Sequence, residues 1–461
     1  MNRRLSFPPD DDYNDTVIRY ENFLSGTAAG YFDVEELEII VDYYLRKGQT
    51  KDSAKALEFG LVLHPQSTAL QTKRAKVYLA VGDFKKAFRI LDTFADTNDY
   101  ELTLLKIEAL LKLGRNKEAT LLCQSLLDDE NAEIDNINLD IAYIYFGLLN
   151  FESAIIYLNK GDEFNPRNID LLFELGFCYE QLSDREKAIE TYNRIIDIDS
   201  FIAEAWFNMG QVYFSMLEYN KALNAYDYAL TINEDDTFAI LQKAHTHFQL
   251  GQYEIAVEGY LEYEKEAFDP WQAKLFIGEC YEKLEKYDEA IACYQRSLVE
   301  NPDNYDALTG IGICCLEQEK FAESIDYINK ALELYEDASD AWVYLAEGLI
   351  GINDNDNALL AYLKSITLDP EQPDTIMSIA NICMDKGEFK IAMDYYKQAY
   401  AMDPGLDYIH LFMAVANFKL DELKTSYDLL KIASQQNADA QDLFFELCPE
   451  ATNNKLFKLE L

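Results

Sequence analysis

The sequence has 461 residues, of which 49% are hydrophobic and 13% aromatic, and it carries a net charge of −43. This length exceeds that of a single globular core, and the hydrophobic content excludes a largely disordered chain. The negative charge is concentrated after residue 130, where 61 acidic side chains outnumber 23 basic ones. This net negative charge repels nucleic-acid phosphates and anionic membranes.

Residues that break regular structure are scarce, with 19 glycines and 10 prolines, which favours helices over an all-β fold. The sequence contains no run of about 18 apolar residues, which is the length needed to cross a membrane. The N-terminal stretch "MNRRLSFPPDDDYND" lacks the apolar core of a secretory signal. The eight cysteines are scattered without a C-x-x-C spacing, which predicts buried, reduced thiols in a cytoplasmic protein rather than disulfides or zinc ligands.

The first predicted element is an acidic N-terminal segment, residues 1–33. Residues 1–13 are rich in proline and aspartate and are predicted to be mobile. The stretch "DTVIRYENFL", which ends at Leu24, predicts a short helix that caps the element that follows.

Residues 34–439 contain an internal repeat of 34 residues. One column is small throughout: Ala154, Ala188, Ala222, Ala256, Ala290, Ser324, Ala358, Ala392 and Ser426. A second column, four residues later, is large: Tyr192, Tyr226, Tyr260, Tyr294, Ile328, Tyr362, Tyr396 and Leu430. A third, twelve residues before the first, is again small: Gly176, Gly210, Ala244, Gly278, Gly312, Ala346, Ala380 and Ala414. Three columns that stay in phase over eight units indicate a true repeat.

Each repeat predicts two antiparallel helices. Apolar residues recur at helical spacing through "AEAWFNMGQVYFSMLEYNKALNAYDYAL", with a break near "MLEYN". Small residues let neighbouring helix axes approach closely, and the rings four residues away fill the space beside them.

The last predicted element is residues 440–461. The stretch "AQDLFFEL" predicts a helix that caps the last repeat, and the tail from Cys448 is predicted to be loose.

The repeat resembles the tetratricopeptide repeat (TPR) family. The residues that carry the resemblance in one unit are Trp206, Met209, Gly210, Tyr213, Ala222, Tyr226 and Ala229, and several units end in a proline: Pro65, Pro166, Pro302, Pro370 and Pro404. About twelve such repeats cover most of the chain. The resemblance implies an all-α, right-handed α-solenoid of antiparallel helix pairs, and a protein that binds other proteins or peptides.

In this family the first helix of each repeat lines the concave face and contacts ligands through its second, fifth, sixth, ninth and twelfth positions. The resemblance therefore implies a peptide-binding groove formed by Asp170, Phe173, Glu174, Phe177, Glu204, Phe207, Asn208, Gln211, Phe276, Glu279, Asp306, Asp340, Tyr344 and Glu347. This set is aromatic and acidic, which predicts a basic partner segment with apolar anchors. The alternative is that the carboxylates are favoured by helix dipoles and keep the chain soluble.

Two known binding modes of the family fit poorly. The chaperone-binding type uses lysines in a two-carboxylate clamp, and these positions lack the lysines. The glycosyltransferase type carries a ladder of asparagines at the sixth position, where only Asn208 matches.

No motif predicts catalysis, a cofactor or a metal. His245 and His247 are two residues apart and point to nearly opposite sides of a helix, whereas two metal ligands need a spacing of three or four. The "GIGICC" stretch lacks the third glycine and the preceding strand of a dinucleotide loop. We therefore expect a non-enzymatic cytoplasmic scaffold or adaptor. The alternative is a structural protein that self-assembles, and a homodimer fits either.

Overall fold

The computed structural model describes residues 10–26, 30–94, 99–128, 133–266 and 270–458, and within these ranges the chain is helical with no β-strand. It divides into two compact units, residues 1–216 and 217–461. Of the segment predicted to be mobile, residues 1–9 lie outside the described ranges, and a helix begins at Asp10.

The first unit contains twelve helices within its described residues: α1 Asp10–Leu24, α2 Val34–Arg46, α3 Thr50–Leu63, α4 Thr68–Ala80, α5 Phe84–Asp92, α6 Tyr100–Lys112, α7 Asn116–Leu127, α8 Ile134–Phe146, α9 Phe151–Phe164, α10 Ile169–Gln181, α11 Arg185–Ile198 and α12 Ala203–Ser215.

The second unit contains fifteen α-helices and one 3-10 helix within its described residues: α13 Tyr219–Ile232, α14 Thr237–Gln249, α15 Tyr253–Glu266, α16 Trp271–Lys283, α17 Tyr287–Glu300, α18 Tyr305–Glu317, α19 Phe321–Leu334, α20 Ser339–Gly351, α21 Asn355–Leu368, α22 Pro373–Asp385, α23 Phe389–Met402, α24 Ile409–Lys419, α25 Leu423–Gln436, α26 Ala440–Leu447, the 3-10 helix Pro449–Asn453 and α27 Lys455–Lys458.

Consecutive helices pack as pairs inside each unit. In the first unit α8 packs on α9 and α10 on α11, and in the second unit the same holds from α14 with α15 to α24 with α25. The second helix of one pair also packs on the first helix of the next, as α17 does on α18. The expected all-α solenoid of helix pairs is confirmed, while its right-handed sense stays a prediction.

The turn inside each helix pair contains one residue with left-handed backbone geometry. These residues recur every 34 positions: Leu149, Ser183, Leu217, Gly251, Glu285, Glu319, Asn353, Gly387 and Asp421. Most of them are not glycine, although a side chain makes this conformation unfavourable. The turn geometry is therefore imposed by the packing of the two helices that it joins.

The columns of small and large residues form the core. Tyr294, which is 1% exposed, shows how they fit. A Cβ atom added to Gly278 on α16 or to Gly310 on α18 would come within 2.6 Å of its ring. The ring thus lies between two first helices and sets their separation, which is the role that the sequence predicts for the glycine at 278.

Helix α1 and the C-terminal helices cover the ends of the array. Val17 and Tyr20 of α1 are buried in one cluster with Leu37 and Ile40 of α2. Two apolar side chains of α1 thereby shield residues of α2 that no preceding repeat covers.

The prediction of a loose tail from Cys448 is wrong for the residues that the structure describes there. Cys448 is fully buried, and Phe457 is 3% exposed. The Phe457 ring stacks on Phe444 at a centroid distance of 5.3 Å and meets Phe418 edge-on at 5.6 Å. The tail is ordered because these rings would otherwise leave an apolar face of the last helices in water.

Candidate functional site

The predicted binding residues lie on the first helices of their pairs and fall in both units, so they form two surfaces. Surface I, in the first unit, is made by α10 and α12 and comprises Asp170, Phe173, Glu174, Phe177, Glu204, Phe207, Asn208 and Gln211. Surface II, in the second unit, is made by α16, α18 and α20 and comprises Phe276, Glu279, Asp306, Asp340, Tyr344 and Glu347.

The two surfaces share one pattern of exposure. Carboxylates in the first turn of a helix are exposed, as at Asp170, Glu204, Asp306 and Asp340, and Glu347 is exposed as well. The remaining residues of both surfaces are half-buried. Each surface thus has partly covered rings and polar groups inside an exposed acidic border.

In surface I, Phe177 belongs to an aromatic cluster that joins three helices. Its ring meets Phe146 of α8 at 6.0 Å and Phe151 of α9 at 5.9 Å, edge-on in both cases. Close by, the Tyr143 hydroxyl donates a hydrogen bond to Glu174 Oε1 at 2.8 Å. The preceding repeat therefore holds Phe177 and Glu174 in place.

Three carboxylates of surface I and its border surround one buried hydroxyl. Tyr192 of α11 reaches between the helices and donates a hydrogen bond to Glu180. Burial raises the pKa of Tyr192, and the charges of Glu180, Glu174 and Glu204 raise it further. Burial also raises the pKa of Glu180. The Tyr192 hydroxyl therefore marks the point where acidic groups of α10 and α12 come together.

In surface II, Phe276 is largely used for internal packing. Its ring meets His245 of α14 edge-on at 4.7 Å and lies 5.3 Å from Tyr260 of α15. His245 Nδ1 and the Tyr260 hydroxyl are hydrogen-bonded at 2.6 Å, and burial lowers the pKa of His245. Of the three rings, Phe276 lies in a first-helix position that the sequence assigns to binding, yet it contributes mainly to the core between repeats.

The carboxylates of surface II repel one another across neighbouring helices. The pKa of Glu279 is raised to about 7, mainly by burial and then by the charges of Asp306 on α18 and Glu282 on α16. Burial and the charge of Glu317 likewise raise the pKa of Glu347. Because acids on adjacent helices face each other, surface II has a concentrated negative field.

Tyr344 lies in the middle of this field. Burial raises the pKa of its hydroxyl, followed by the charges of Asp340, Glu347 and Glu282. Asp340 also accepts a hydrogen bond from the Tyr305 hydroxyl at 3.0 Å. The structure thus brings Glu279, Asp306, Asp340, Tyr344 and Glu347 into one surface.

The carboxylates of surface II make no ion pair among the described residues, unlike those near the N-terminus. Within the described part of the chain, Glu279, Asp306, Asp340 and Glu347 make no ion pair within 4.0 Å, and Lys283 lies 3.8 Å from Glu282. On α2 and α4 the corresponding acids are neutralised: Lys73 pairs with Asp42 at 2.6 Å. Within the described residues, surface II therefore keeps a net negative charge.

Glu180 and Glu317 also belong beside these surfaces, although the sequence did not indicate them. Glu180 and Glu282 occupy the twelfth position of their helices and hold the hydroxyls of buried tyrosines. Glu317 acts on Glu347 from α18. The repeat frame could have indicated Glu180, because Glu282 is its counterpart 102 residues later.

The contacts of His247 and of the cysteines are those of packing residues rather than of metal ligands. His247 Nδ1 is hydrogen-bonded to Gln252 Oε1 at 2.7 Å. In the part of the chain that the structure describes, no three His, Cys, Asp or Glu residues are grouped to hold a metal ion. All eight cysteines are buried free thiols.

Within the described ranges, no helix combines the length and the apolar character needed to cross a membrane.

Comparison with known families finds tetratricopeptide repeats in the region of both surfaces. Family models described as "Tetratricopeptide repeat" match residues 169–201, 203–236, 241–305, 281–339, 316–373 and 373–405. Together these matches cover about half of the chain and include surfaces I and II. No curated protein matches the sequence.

Several solved structures are similar in part. A chain of "APC/C hetero-tetramer Cut9-Hcn1" is 14% identical, covering 88% of this chain and 93% of that one, with a TM-score of 0.42. MamA protein is 25% identical over 37% of this chain and 93% of its own, with a TM-score of 0.35. YrrB, titled "a TPR protein with an unusual peptide-binding site", is 20% identical over 40% of this chain and 94% of its own, with a TM-score of 0.34.

Proposed function

Because the chain belongs to the tetratricopeptide repeat family, we propose that it is a non-enzymatic scaffold or adaptor that binds segments of partner proteins on surfaces I and II. The observation that carries this proposal is surface II, where the half-buried Glu279 and Tyr344 lie with the exposed carboxylates Asp306, Asp340 and Glu347, and none of these acids makes an ion pair within 4.0 Å among the described residues. Such groups lose hydration in the folded chain and regain favourable interactions when a ligand supplies the missing charges.

The preferred partner segment is basic. Glu279 has a pKa of about 7 because it is buried beside two other carboxylates, so a lysine or arginine of the ligand would favour its ionised form. The exposed carboxylates Asp306, Asp340 and Glu347 widen the negative surface and speed the encounter with cations.

The same segment carries apolar or aromatic side chains. Phe173 and Phe207 of surface I and Tyr344 of surface II are half-buried, so part of each ring remains available. Rings of this kind offer both apolar area and a face for cations.

A cytoplasmic location belongs to the same proposal. It is supported by the eight buried cysteines, none of which forms a disulfide. A homodimer is compatible with the scaffold function, and a concentration series in sedimentation velocity detects it separately from ligand binding.

The test compares peptides of equal length in which Lys and Arg are replaced by Gln or by Glu, titrated at low and at high salt. We expect the basic peptide to bind most tightly and to weaken with salt, because screening acts over about 10 Å at 0.1 M. The triple variant Glu279→Gln, Asp306→Asn, Glu347→Gln should weaken its binding at least tenfold.

The matched control is Asp326→Asn, Glu333→Gln, Asp394→Asn, which removes the same charge from exposed positions on the second helices α19 and α23. If the control weakens binding as much as the surface variant, the acid acts only through net charge. Equal binding of the neutral peptide would likewise contradict a basic partner.

A further inference from the structure

One short stretch runs against the charge of the whole chain. Residues 73–89, which span most of α4 and α5, contain six basic side chains and one carboxylate, whereas the protein has a net charge of −43. Two of the six are neutralised internally, since Lys73 pairs with Asp42 and Lys76 with Glu101. Four basic side chains take no part in these two ion pairs: Arg74, Lys85, Lys86 and Arg89.

Two of the remaining cations lie on the exposed side of α5. Lys85 and Arg89 are exposed and make no ion pair among the described residues. They are four positions apart on α5 and so project from the same side of the helix. The carboxylate of this stretch, Asp83, is already paired with Lys86 at 2.8 Å. Arg89 also acts on the charge of Asp83, but this single carboxylate leaves the stretch with a net positive charge, which favours an anionic ligand.

Further basic side chains on α4, α5 and α6 lie over aromatic rings near these two cations. Arg74 and Lys86 lie over Tyr78, at 5.7 and 5.4 Å from the ring centroid. Lys112 of α6 lies 5.9 Å from the Phe84 ring. Each aromatic ring covers one side of its cation and restricts the motion of that side chain. Less entropy is therefore lost when a ligand binds.

A recess of about 420 Å³ opens beside Lys85. It is lined by Val81, Gly82, Asp83, Phe84, Lys85 and Leu113, from the turn between α4 and α5 and the end of α6. Val81 is 51% exposed, so apolar surface faces solvent there. The recess can take an apolar side chain, with Lys85 at its edge.

We infer that this basic edge, formed by Arg74, Lys85, Arg89 and Lys112 around the recess, binds a short acidic segment of a partner protein, with one apolar side chain between carboxylates. The carboxylates contact Lys85 and Arg89, and the apolar side chain fills the recess at Val81 and Phe84. This site is separate from surfaces I and II and has the opposite charge preference.

A protein segment fits the basic edge better than a nucleic acid does. Single strands bind through bases stacked on exposed rings, but the Tyr78 ring has two cations over it and the Phe84 ring has one. A long strand would also extend further into the negative field of the rest of the chain than a segment of a few residues does.

The test uses the full-length protein at 0.15 M NaCl and the labelled peptide Asp-Glu-Leu-Glu-Asp, with Asn-Gln-Leu-Gln-Asn as its neutral counterpart. We expect the acidic peptide to bind at least tenfold more tightly than the neutral one. The double variant Lys85→Glu, Arg89→Glu should weaken its binding at least tenfold. Val81→Ser should weaken it several-fold, but should not change binding of a peptide in which serine replaces leucine.

The matched control is Lys390→Glu, Lys397→Glu, which makes the same charge change at exposed positions of α23 that form no ion pair among the described residues, and it should alter binding less than twofold. Thermal melting of each variant checks that it is folded. Equal effects of the two double variants, equal binding of the neutral peptide, or tighter binding of oligo-dT than of the acidic peptide would each overturn the inference. Binding of basic peptides to surface II should survive Lys85→Glu, Arg89→Glu, so the two proposals fail independently.

Discussion

The acid–base behaviour of surface II is decided at single residues, and Glu279 shows how. It is half-buried on α16, with Asp306 and Glu282 as charged neighbours, and its pKa is raised from 4.5 to about 7. Lys283 lowers the pKa but does not offset burial and the two carboxylates, so the folded chain holds a proton on Glu279 that the unfolded chain releases.

We expect Glu279→Gln to stabilise the protein at pH 8.5 and to have a smaller effect at pH 5.5. The raised pKa means that the parent loses stability as the pH rises from about 4.5 through about 7, where the folded state must give up this proton. The variant has no such loss, so its advantage in free energy of unfolding should reach up to about 2 kcal/mol at pH 8.5, after allowance for partial exposure. Urea unfolding at both pH values measures it. A gain of equal size at both would contradict the raised pKa, and Glu333→Gln on α19 serves as an exposed control.

The left-handed turn residues are a second feature of single residues. Glu319 has φ 56° between α18 and α19, where a side chain costs about 1–2 kcal/mol. Glu319→Gly should therefore raise the free energy of unfolding by about 0.5–1 kcal/mol, since the greater freedom of glycine in the unfolded chain offsets part of the gain. Gln398→Gly, in the exposed interior of α23, should instead lower it. Chemical denaturation of both variants gives the comparison, and destabilisation by Glu319→Gly would show that no strain is present.

At the scale of the helices, the fold depends on how closely the first helices of neighbouring repeats approach. Tyr294 of α17 fills the space between Gly278 of α16 and Gly310 of α18, and its hydroxyl donates to Glu282 Oε2 at 2.9 Å. The same arrangement recurs at Tyr192, whose ring would meet a Cβ at position 176 within 2.7 Å. Because the hydroxyls end at the carboxylates beside surfaces I and II, core packing and the position of the surfaces are linked.

Gly278→Ala should destabilise the protein by about 1–3 kcal/mol, because the added methyl group would lie 2.6 Å from the Tyr294 ring. Combining it with Tyr294→Leu should cost less than the sum of the two single changes, since the smaller side chain makes room for the methyl group. A double-mutant cycle from denaturant melts measures the coupling. Strict additivity would mean that the ring and the glycine are not in contact.

At the scale of the whole molecule, negative charge opposes folding. The chain carries 83 acidic and 40 basic side chains. Several of the cations are already paired across neighbouring helices, as Lys274 is with Glu300 and Arg194 is with Asp162. The remaining carboxylates repel one another in the compact state more than in the unfolded one.

Added NaCl should therefore raise the melting temperature by several degrees between 20 and 300 mM, because it screens this repulsion. Differential scanning calorimetry measures the change. Sodium sulfate at equal ionic strength controls for salting-out, which also stabilises folded proteins. A melting temperature that stays constant or falls with NaCl would mean that attractive ion pairs outweigh the repulsion.

Much of the fold could be predicted because the repeat is written in local patterns. Helical spacing and the columns of small and large residues report directly which faces are buried, so Ala222, Tyr226 and Tyr294 were predicted as packing residues and each is at most 1% exposed. The same frame predicted that surface residues such as Asp306, Tyr344 and Glu347 belong to first helices.

By itself, then, the sequence determined the helix pairs, the core columns and the acidic, aromatic character of the first helices, because each follows from spacing along one helix. The tertiary structure alone decided that Phe276 is used in packing by His245 and Tyr260, and that the tail at Phe457 is ordered. It also decided which carboxylates remain uncompensated, such as Glu279. These properties depend on side chains from other helices, many residues away, whose distances and charges no pattern within a single repeat contains.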